Sequence, residues 1–303
     1  MVADCETMSK VRLLINPNAG PSNALEVVVQ AVSRYWDTAD NEVTFQTSRD
    51  ADAGRRKARE AVRDGIDTLL VAGGDGMINT VGHELLDSGV ALGVIPTGSG
   101  NGFARHFNIP LLLDEAVRAL VVARRTRIDV GTVNNRPFFV TCSLAWEAAV
   151  AKAFDRSPIR GVWPYILAAA REYVTFTPQP LEVTLDGREQ ARFPDPMIFT
   201  VANLTQYGGG AKIAPHAEPN DGLLELVVLP RQDVAQLLTS LPRLYDGTLL
   251  QLPDLFSRRF RDLTIRRAQP APIQLDGELL DAGTTVHISV LPQALTVLVP
   301  AAE

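Results

Sequence analysis

Three times in the first hundred residues, a short apolar run ends in a glycine-bearing turn and passes into a helical pattern. Val11 to Ile15 leads into Asn16-Pro17-Asn18-Ala19-Gly20, Asp67 to Ala72 into Gly73-Gly74-Asp75-Gly76, and Ala91 to Ile95 into the turn from Pro96 to Gly102. Between them, Glu42 to Gln46 reads as a further strand and Ala51 to Val62 as a charged amphipathic helix. Leu25, Val28, Val29 and Val32 recur at helical spacing behind a cap at Ser22 or Asn23, and another helix follows Gly76 to about Leu86. Strand, turn and helix in repetition predict a parallel sheet with crossover helices. In such a sheet ligands bind beyond the carboxyl ends of the strands, where all three turns lie. Glycine lets a backbone approach an anion closely, and the amides opening the next helix point positive partial charge at it.

The texture changes after about Ile128. Runs at Pro137 to Ser143, Leu181 to Leu185, Met197 to Ala202, Leu223 to Leu229, Ile273 to Leu275 and Val286 to Val290 alternate with turn residues, the pattern of antiparallel β structure. Helical insertions are expected over Ala148 to Tyr173 and Val234 to Tyr245.

With 303 residues, 46% of them hydrophobic, the chain has room for two compact cores. Its net charge of -6 excludes broad attraction to nucleic acid or an anionic bilayer, so contact with either needs a local basic patch. Arg258, Arg259, Arg261, Arg266 and Arg267 form the densest such stretch, either a solvated face or a contact for anionic lipid headgroups. Cys5 and Cys142 give no disulfide framework, and the acidic start lacks signal-peptide character, which predicts a cytoplasmic protein. No apolar run reaches the roughly 18 residues of a membrane span. The histidines at 83, 106, 216 and 287 show no metal spacing. Trp146, Trp163 and Tyr165 fit either the floor of an acyl pocket or core packing.

The turns match neither a GxxxxGK[ST] phosphate loop nor, because Phe103 breaks it, a GxGxxG dinucleotide loop. Taken in order, Asn16-Pro17-x-x-Gly20, Gly73-Gly74-Asp75-Gly76 and Pro96-x-Gly98-Ser99-Gly100-Asn101-x-Phe103-Ala104-Arg105 resemble the diacylglycerol kinase and sphingosine kinase superfamily. Tyr207-Gly208-Gly209-Gly210-x-x-Ile213-Ala214-Pro215, Asp221-Gly222-Leu223 and Leu275-Asp276-Gly277-Glu278 continue the resemblance, in the family's order and over nearly the whole chain.

That resemblance implies an α/β nucleotide domain with a parallel sheet over about residues 1–129 and an antiparallel β-sandwich for substrate and metal over about 130–291. A last strand, at about 292–303, would return to the first domain. The implied activity is transfer of the γ-phosphate of ATP to the hydroxyl of a lipid such as diacylglycerol, a sphingoid base or a ceramide, with Mg²⁺ as cofactor. Asn16, Thr47, Gly73, Gly74, Asp75, Gly76, Met77, Asn79 and Ser99 would line the nucleotide. Asp221 would serve the metal through its carboxylate, and Glu218 and Leu223 through their carbonyls. Glu278 is the favoured general base and Asp75 its rival, and the sequence leaves the two open. Peripheral contact at the inner membrane surface is expected, and oligomeric state is left open.

Several positions depart from the family pattern. Met77 stands where a Thr is common, Thr80 for a Glu, Gly102 for an Asp and Glu147 for an Asp, and no Lys follows Gly20. The apolar residue at 77 and the Gly98 to Gly102 sequence lean towards sphingosine and ceramide kinases. Met77 and Thr80 also motivate the alternative of a catalytically silent nucleotide or lipid binder. An NAD kinase shares the Gly-Gly-Asp-Gly turn but not the second-domain motifs. Drawing some 14 methylenes of a lipid tail into water would cost roughly 11 kcal/mol. A kinase of this kind therefore leaves the tails in the bilayer or receives them in an apolar tunnel.

Overall fold

The computed structural model describes residues 8–17, 19–155, 169 and 171–301. They group into two compact units: the chain up to Ile128 together with Gln293 onward, and Asp129–Pro292.

In the first unit, strands β1 (Ser9–Ile15), β2 (Asn41–Thr47), β3 (Thr68–Gly73) and β4 (Ala91–Pro96) alternate with helices α1 (Ala24–Tyr35), α2 (Ala51–Arg63) and α3 (Asp75–Leu85). The short α4 (Gly102–His106) and then α5 (Leu113–Val121) follow. The strands pair in parallel in the order β2-β1-β3-β4, as the alternation predicts. Every residue of β3 and β4 is buried, which fits a parallel sheet covered on both faces. Helix α1 buries Ala24, Val28, Ala31 and Val32, whereas Leu25 is 39% exposed. The apolar stripe is thus rotated from the expected one, with small alanines doing the packing. Asn23 precedes α1 without a side-chain cap, while Asp50 caps α2 by accepting from the Ala53 amide at 2.7 Å.

The second unit takes over within β5 (Arg124–Val133) and continues through β6 (Arg136–Phe138), β7 (Thr141–Ser143), α6 (Trp146–Asp155), β8 (Leu181–Leu185), β9 (Glu189–Phe193) and β10 (Pro196–Ala202). After β11 (Leu224–Pro230) come α7 (Val234–Asp246), β12 (Phe256–Phe260), β13 (Asp262–Arg267), β14 (Ala271–Leu275), β15 (Glu278–Ala282) and β16 (Thr285–Val299). One sheet runs β12-β11-β10-β7-β14-β15, and antiparallel pairing also links β16, β13, β8 and β9. Val183, Leu263 and Ile265 share one core with Phe199, Val201, Leu226 and Ile273, so two sheets close on a common apolar layer. The tight turns at Asn134-Asn135, Asp186-Gly187 and Asp276-Gly277 all have positive φ, the geometry that two-residue hairpins require. Beyond Gln293, β16 belongs to the first unit, where Val297 pairs in parallel with Leu92 of β4.

The expected helix over Ala148 to Tyr173 is seen as α6, and residues 156–168 and 170 lie outside the described residues, with Trp163 and Tyr165 among them. The basic stretch is two strands, β12 and β13, and Arg267 is buried there, donating to the carbonyls of Gly283 and Ala282 and closely to that of Ala271. Arg267 therefore cannot be part of a lipid-facing patch.

Candidate active site

In the first unit, strand register brings the three glycine turns to one edge of the sheet. Ile15 pairs with both Thr47 and Ala72, and Gly73 with Pro96, so Asn16, Gly74 and Thr97 each open a loop on the same side. The loops touch. A Cβ on Gly98 would lie 2.7 Å from the Gly74 Cα, and one on Gly20 would lie 3.1 Å from Thr97. A side chain at 98 would force these backbones apart, and one at 74 would press on Gly98 at 3.2 Å.

Asp75 locks that meeting. Its Oδ2 accepts from the Gly102 amide at 2.9 Å and its Oδ1 from the Phe103 amide at 3.0 Å, tying the start of α3 to the start of α4. Burial pushes its carboxyl above the usual aspartate range, with the two amides pulling the other way. Asn101, in a left-handed conformation, donates from Nδ2 to the Gly98 carbonyl at 2.7 Å. Its Oδ1 and the Thr97 hydroxyl are buried with no hydrogen-bond partner among the described residues, two polar atoms at the loops that the sequence reading did not single out. Thr47 and Ser99 are exposed, while Asn16, Gly76, Met77 and Asn79 are half-buried around the start of α3.

The departures at 77 and 80 have structural reasons. The Met77 sulfur lies back over Gly73, where an added Cβ would come within 2.6 Å of it. Thr80 donates to the Gly76 carbonyl at 2.9 Å and turns its methyl to Gly54, so this buried position serves the contact between α2 and α3. A glutamate there would have to displace α2. Beyond α4's first turn, burial lowers the pKa of His106 to about 4, and its ring meets Phe107 edge-on at 4.6 Å.

In the second unit, Asp276 accepts from three successive amides, Phe139 at 2.8 Å, Val140 at 2.8 Å and Thr141 at 3.0 Å. It fixes the β14–β15 turn, and Glu278 follows as the exposed first residue of β15. The Asp221 turn is held from another side. Asp221 Oδ1 accepts from the Leu223 amide at 2.9 Å, Oδ2 from Arg259 at 3.0 Å, and the fully buried Asp129 takes the Gly222 amide at 2.6 Å. Asp129 is a further residue that sequence reading missed, since nothing in its local pattern marks it. Glu218 is exposed.

These two groups of residues stand on different strands of one sheet and are linked through Asn203, whose Nδ2 donates to the carbonyls of both Asp129 and Phe139 at 2.9 Å. Leu226, Val201, Cys142, Leu275 and Glu278 form one cross-strand row of the six-stranded sheet, with β15 at one edge and β12, carrying Arg259, at the other. Four strand spacings of about 4.8 Å separate β11 from β15, or roughly 19 Å. The donors at the Asp221 turn are all hard oxygens and suit Mg²⁺ in atom type. Among the described residues, no three His, Cys, Asp or Glu side chains gather to hold a metal.

Comparison with known proteins follows the same division. Residues 10–133 match the model of the diacylglycerol kinase catalytic domain, and residues 141–299 that of the YegS C-terminal NAD kinase beta sandwich-like domain. The chain belongs to the diacylglycerol kinase family. It is 28% identical over 304 residues to the diacylglycerol kinase of Mycobacterium tuberculosis, covering 97% of this chain and 96% of the relative. It is 31% identical over 258 residues to Probable lipid kinase YegS of Salmonella paratyphi A, covering 81% of this chain and 82% of the relative. The solved structure of a diacylglycerol kinase from Bacillus anthracis superposes with a TM-score of 0.71 at 19% identity over 97% of each chain. As a member of this lipid kinase family the protein is a phosphotransferase, with the expected parallel α/β domain and antiparallel sandwich.

Other features of this lipid kinase fold lie in its second unit. Buried Glu147 accepts from Thr200 at 2.8 Å and Tyr207 at 3.1 Å, which ties α6 to β10 and to the glycine loop at 208–210. Burial raises its pKa. Cys142 is fully buried, and burial pushes its thiol well above the usual range, leaving it unreactive. An apolar pocket of about 570 Å³ is lined by Leu144, Ala148, Phe176, Leu181 and Pro272 among others. Trp146 is not in its wall and stacks edge-on against Tyr173 at 5.6 Å. Among the described residues, no helix is long and apolar enough to cross a membrane.

Proposed function

We propose that the protein transfers the γ-phosphate of ATP to the hydroxyl of a lipid alcohol, of the diacylglycerol or the sphingoid and ceramide type. The observation that carries this reading is the junction of the Gly73–Gly76 and Gly98–Gly102 turns, backbone against backbone and bridged by Asp75. A cradle of glycine amides at a helix start suits a polyphosphate and needs few cations. In this reading Asn16, Thr47, Gly73 to Met77, Asn79 and Ser99 line the nucleotide, and a Mg²⁺ bound with ATP would supply charge to offset that of the phosphates. Glu278 is the base. Asp75 is committed to two amides and its buried carboxyl resists ionisation, whereas Glu278 is exposed on a turn that Asp276 keeps rigid. Glu278 takes the hydroxyl proton as the acceptor oxygen bonds to phosphorus, and ADP leaves with the electrons of the broken P–O bond.

A cation held by the Asp221 carboxylate and the Glu218 and Leu223 carbonyls would fasten the loop that carries them. The pocket beside Leu144 and Phe176 would receive an acyl chain, at a gain of about 0.8 kcal/mol per methylene removed from water. Membrane contact, in this reading, falls to exposed residues such as Arg261 and Arg266. Labelled ATP incubated with diacylglycerol, monoacylglycerol, sphingosine, ceramide and NAD tests the proposal. Label in a lipid product is expected. Label in NADP alone would make the protein an NAD kinase, and ATP-dependent thermal stabilisation without any transfer would make it a silent binder.

A further inference from the structure

The loop that ends in the Asp221 turn is already held by a cation belonging to the chain. One guanidinium nitrogen of Arg259 donates to Asp221 Oδ2 at 3.0 Å, and the other makes a close hydrogen bond to the carbonyl of His216. Arg259 thereby spans residues 216 to 221, the stretch that also contains Glu218. The remaining Asp221 oxygen is turned onto the Leu223 amide at 2.9 Å, and Asp129 fastens the loop from beneath through the Gly222 amide and the Pro219 carbonyl. Arg259 is no loose surface charge, since it stands on β12 directly across the ladder from Glu225 of β11. The ion pair is open to solvent on the arginine side, with the Arg259 side chain 39% and the Asp221 side chain 20% exposed.

A single carboxylate cannot serve two cations at full strength. Mg²⁺ binds carboxylate oxygen at about 2.1 Å, which would put a divalent charge within about 5 Å of the guanidinium, and like charges at that range repel even where solvent screens them. We propose that Arg259 is a built-in competitor for the divalent cation at the Asp221 turn, so that a metal enters only by displacing the guanidinium. The inference rests on the reading that Asp221 is a metal ligand. It assigns this chain a loop that stays formed at low metal concentration, with the arginine doing the work of the ion.

Manganese titration of the nucleotide-free protein, with free Mn²⁺ read by electron paramagnetic resonance, tests it without recourse to activity. Arg259→Met and Arg259→Gln are expected to bind Mn²⁺ about tenfold or more tightly than the parent, and Arg259→Lys to stay within about threefold of it. Asp221→Asn should abolish the binding in every background. Two uncharged replacements are used so that poor folding of one leaves the other informative. Parent-like or weaker affinity in both, with Asp221→Asn still abolishing binding, overturns the competition and spares the metal assignment. Binding that survives Asp221→Asn unchanged, or no binding in any variant, overturns both.

Discussion

The two units each contain an Asp-Gly turn whose carboxylate is committed to successive backbone amides, and they use it differently. Asp75, at the start of α3, draws the Gly102 and Phe103 amides towards it and so joins two loops of one parallel sheet. Asp276, in a left-handed conformation between β14 and β15, gathers three amides from the Phe139 to Thr141 segment and so immobilises a hairpin. The first carboxylate holds two glycine-rich loops against each other. The second builds nothing for a ligand itself, but it presents the carboxylate two residues later, Glu278. Under the proposed reading, each aspartate frames the chemistry and the exposed Glu278 carries the proton transfer.

The largest effect that would break this comparison concerns Glu278. Glu278→Gln is expected to lower turnover by about 10²- to 10⁴-fold with ATP-dependent thermal stabilisation intact. Full turnover in that variant would return the base to Asp75. Next comes Asp276→Ala, which strands three buried amides and should cost about 3 kcal/mol or more in urea unfolding. A cost under about 1 kcal/mol would show that the hairpin does not depend on it.

Acid and base should separate the units further. His106 titrates at about 4 in the folded protein, below its ordinary value of 6.5, so the unfolded chain binds more protons between those values. Stability should therefore fall on acidification through that window, by at most about 3.4 kcal/mol, and His106→Asn should flatten the slope. Buried Glu147 has the opposite sign. Its folded-state pKa is raised above 4.5, so its contribution is complete at low pH and is lost as pH rises through the folded value, a slope that Glu147→Gln should remove. Asp75 pulls in the same direction as Glu147, so each slope must be read against its own variant. The smallest effect is expected from Asp75→Asn, which keeps one acceptor for two amides and should cost about 1–2 kcal/mol while weakening nucleotide-dependent stabilisation.

The first unit was the more legible in sequence, because its signals are local. A strand, a glycine turn and a helix lie within some twenty residues of each other, and the parallel register then brings the turns together without further information. In the second unit the signals were masked by charge. Phe256 and Phe260, then Leu263 and Ile265, mark β12 and β13 by alternation, yet the arginines between them drew the reading towards a surface patch. The burial of Arg267 could not be foreseen, since its acceptors are carbonyls 4, 15 and 16 residues away. Asp129 was missed for the same reason: its partner, Gly222, is 93 residues downstream. Thr97 and Asn101 sat inside a recognised motif, but that their oxygens are buried and unpaired is a matter of packing alone.

Strand β16 has a consequence for the timing of synthesis. Leu92 of β4 finds its neighbour Val297 some two hundred residues further along the chain, after every other strand has been made. As the protein emerges from the ribosome, β1 to β4 can assemble early, but β4 keeps an unpaired edge until the residues beyond 293 appear. The parallel-sheet unit would be completed only once the sandwich sequence has been translated, and a nascent chain stalled before that point would be vulnerable to edge-to-edge aggregation.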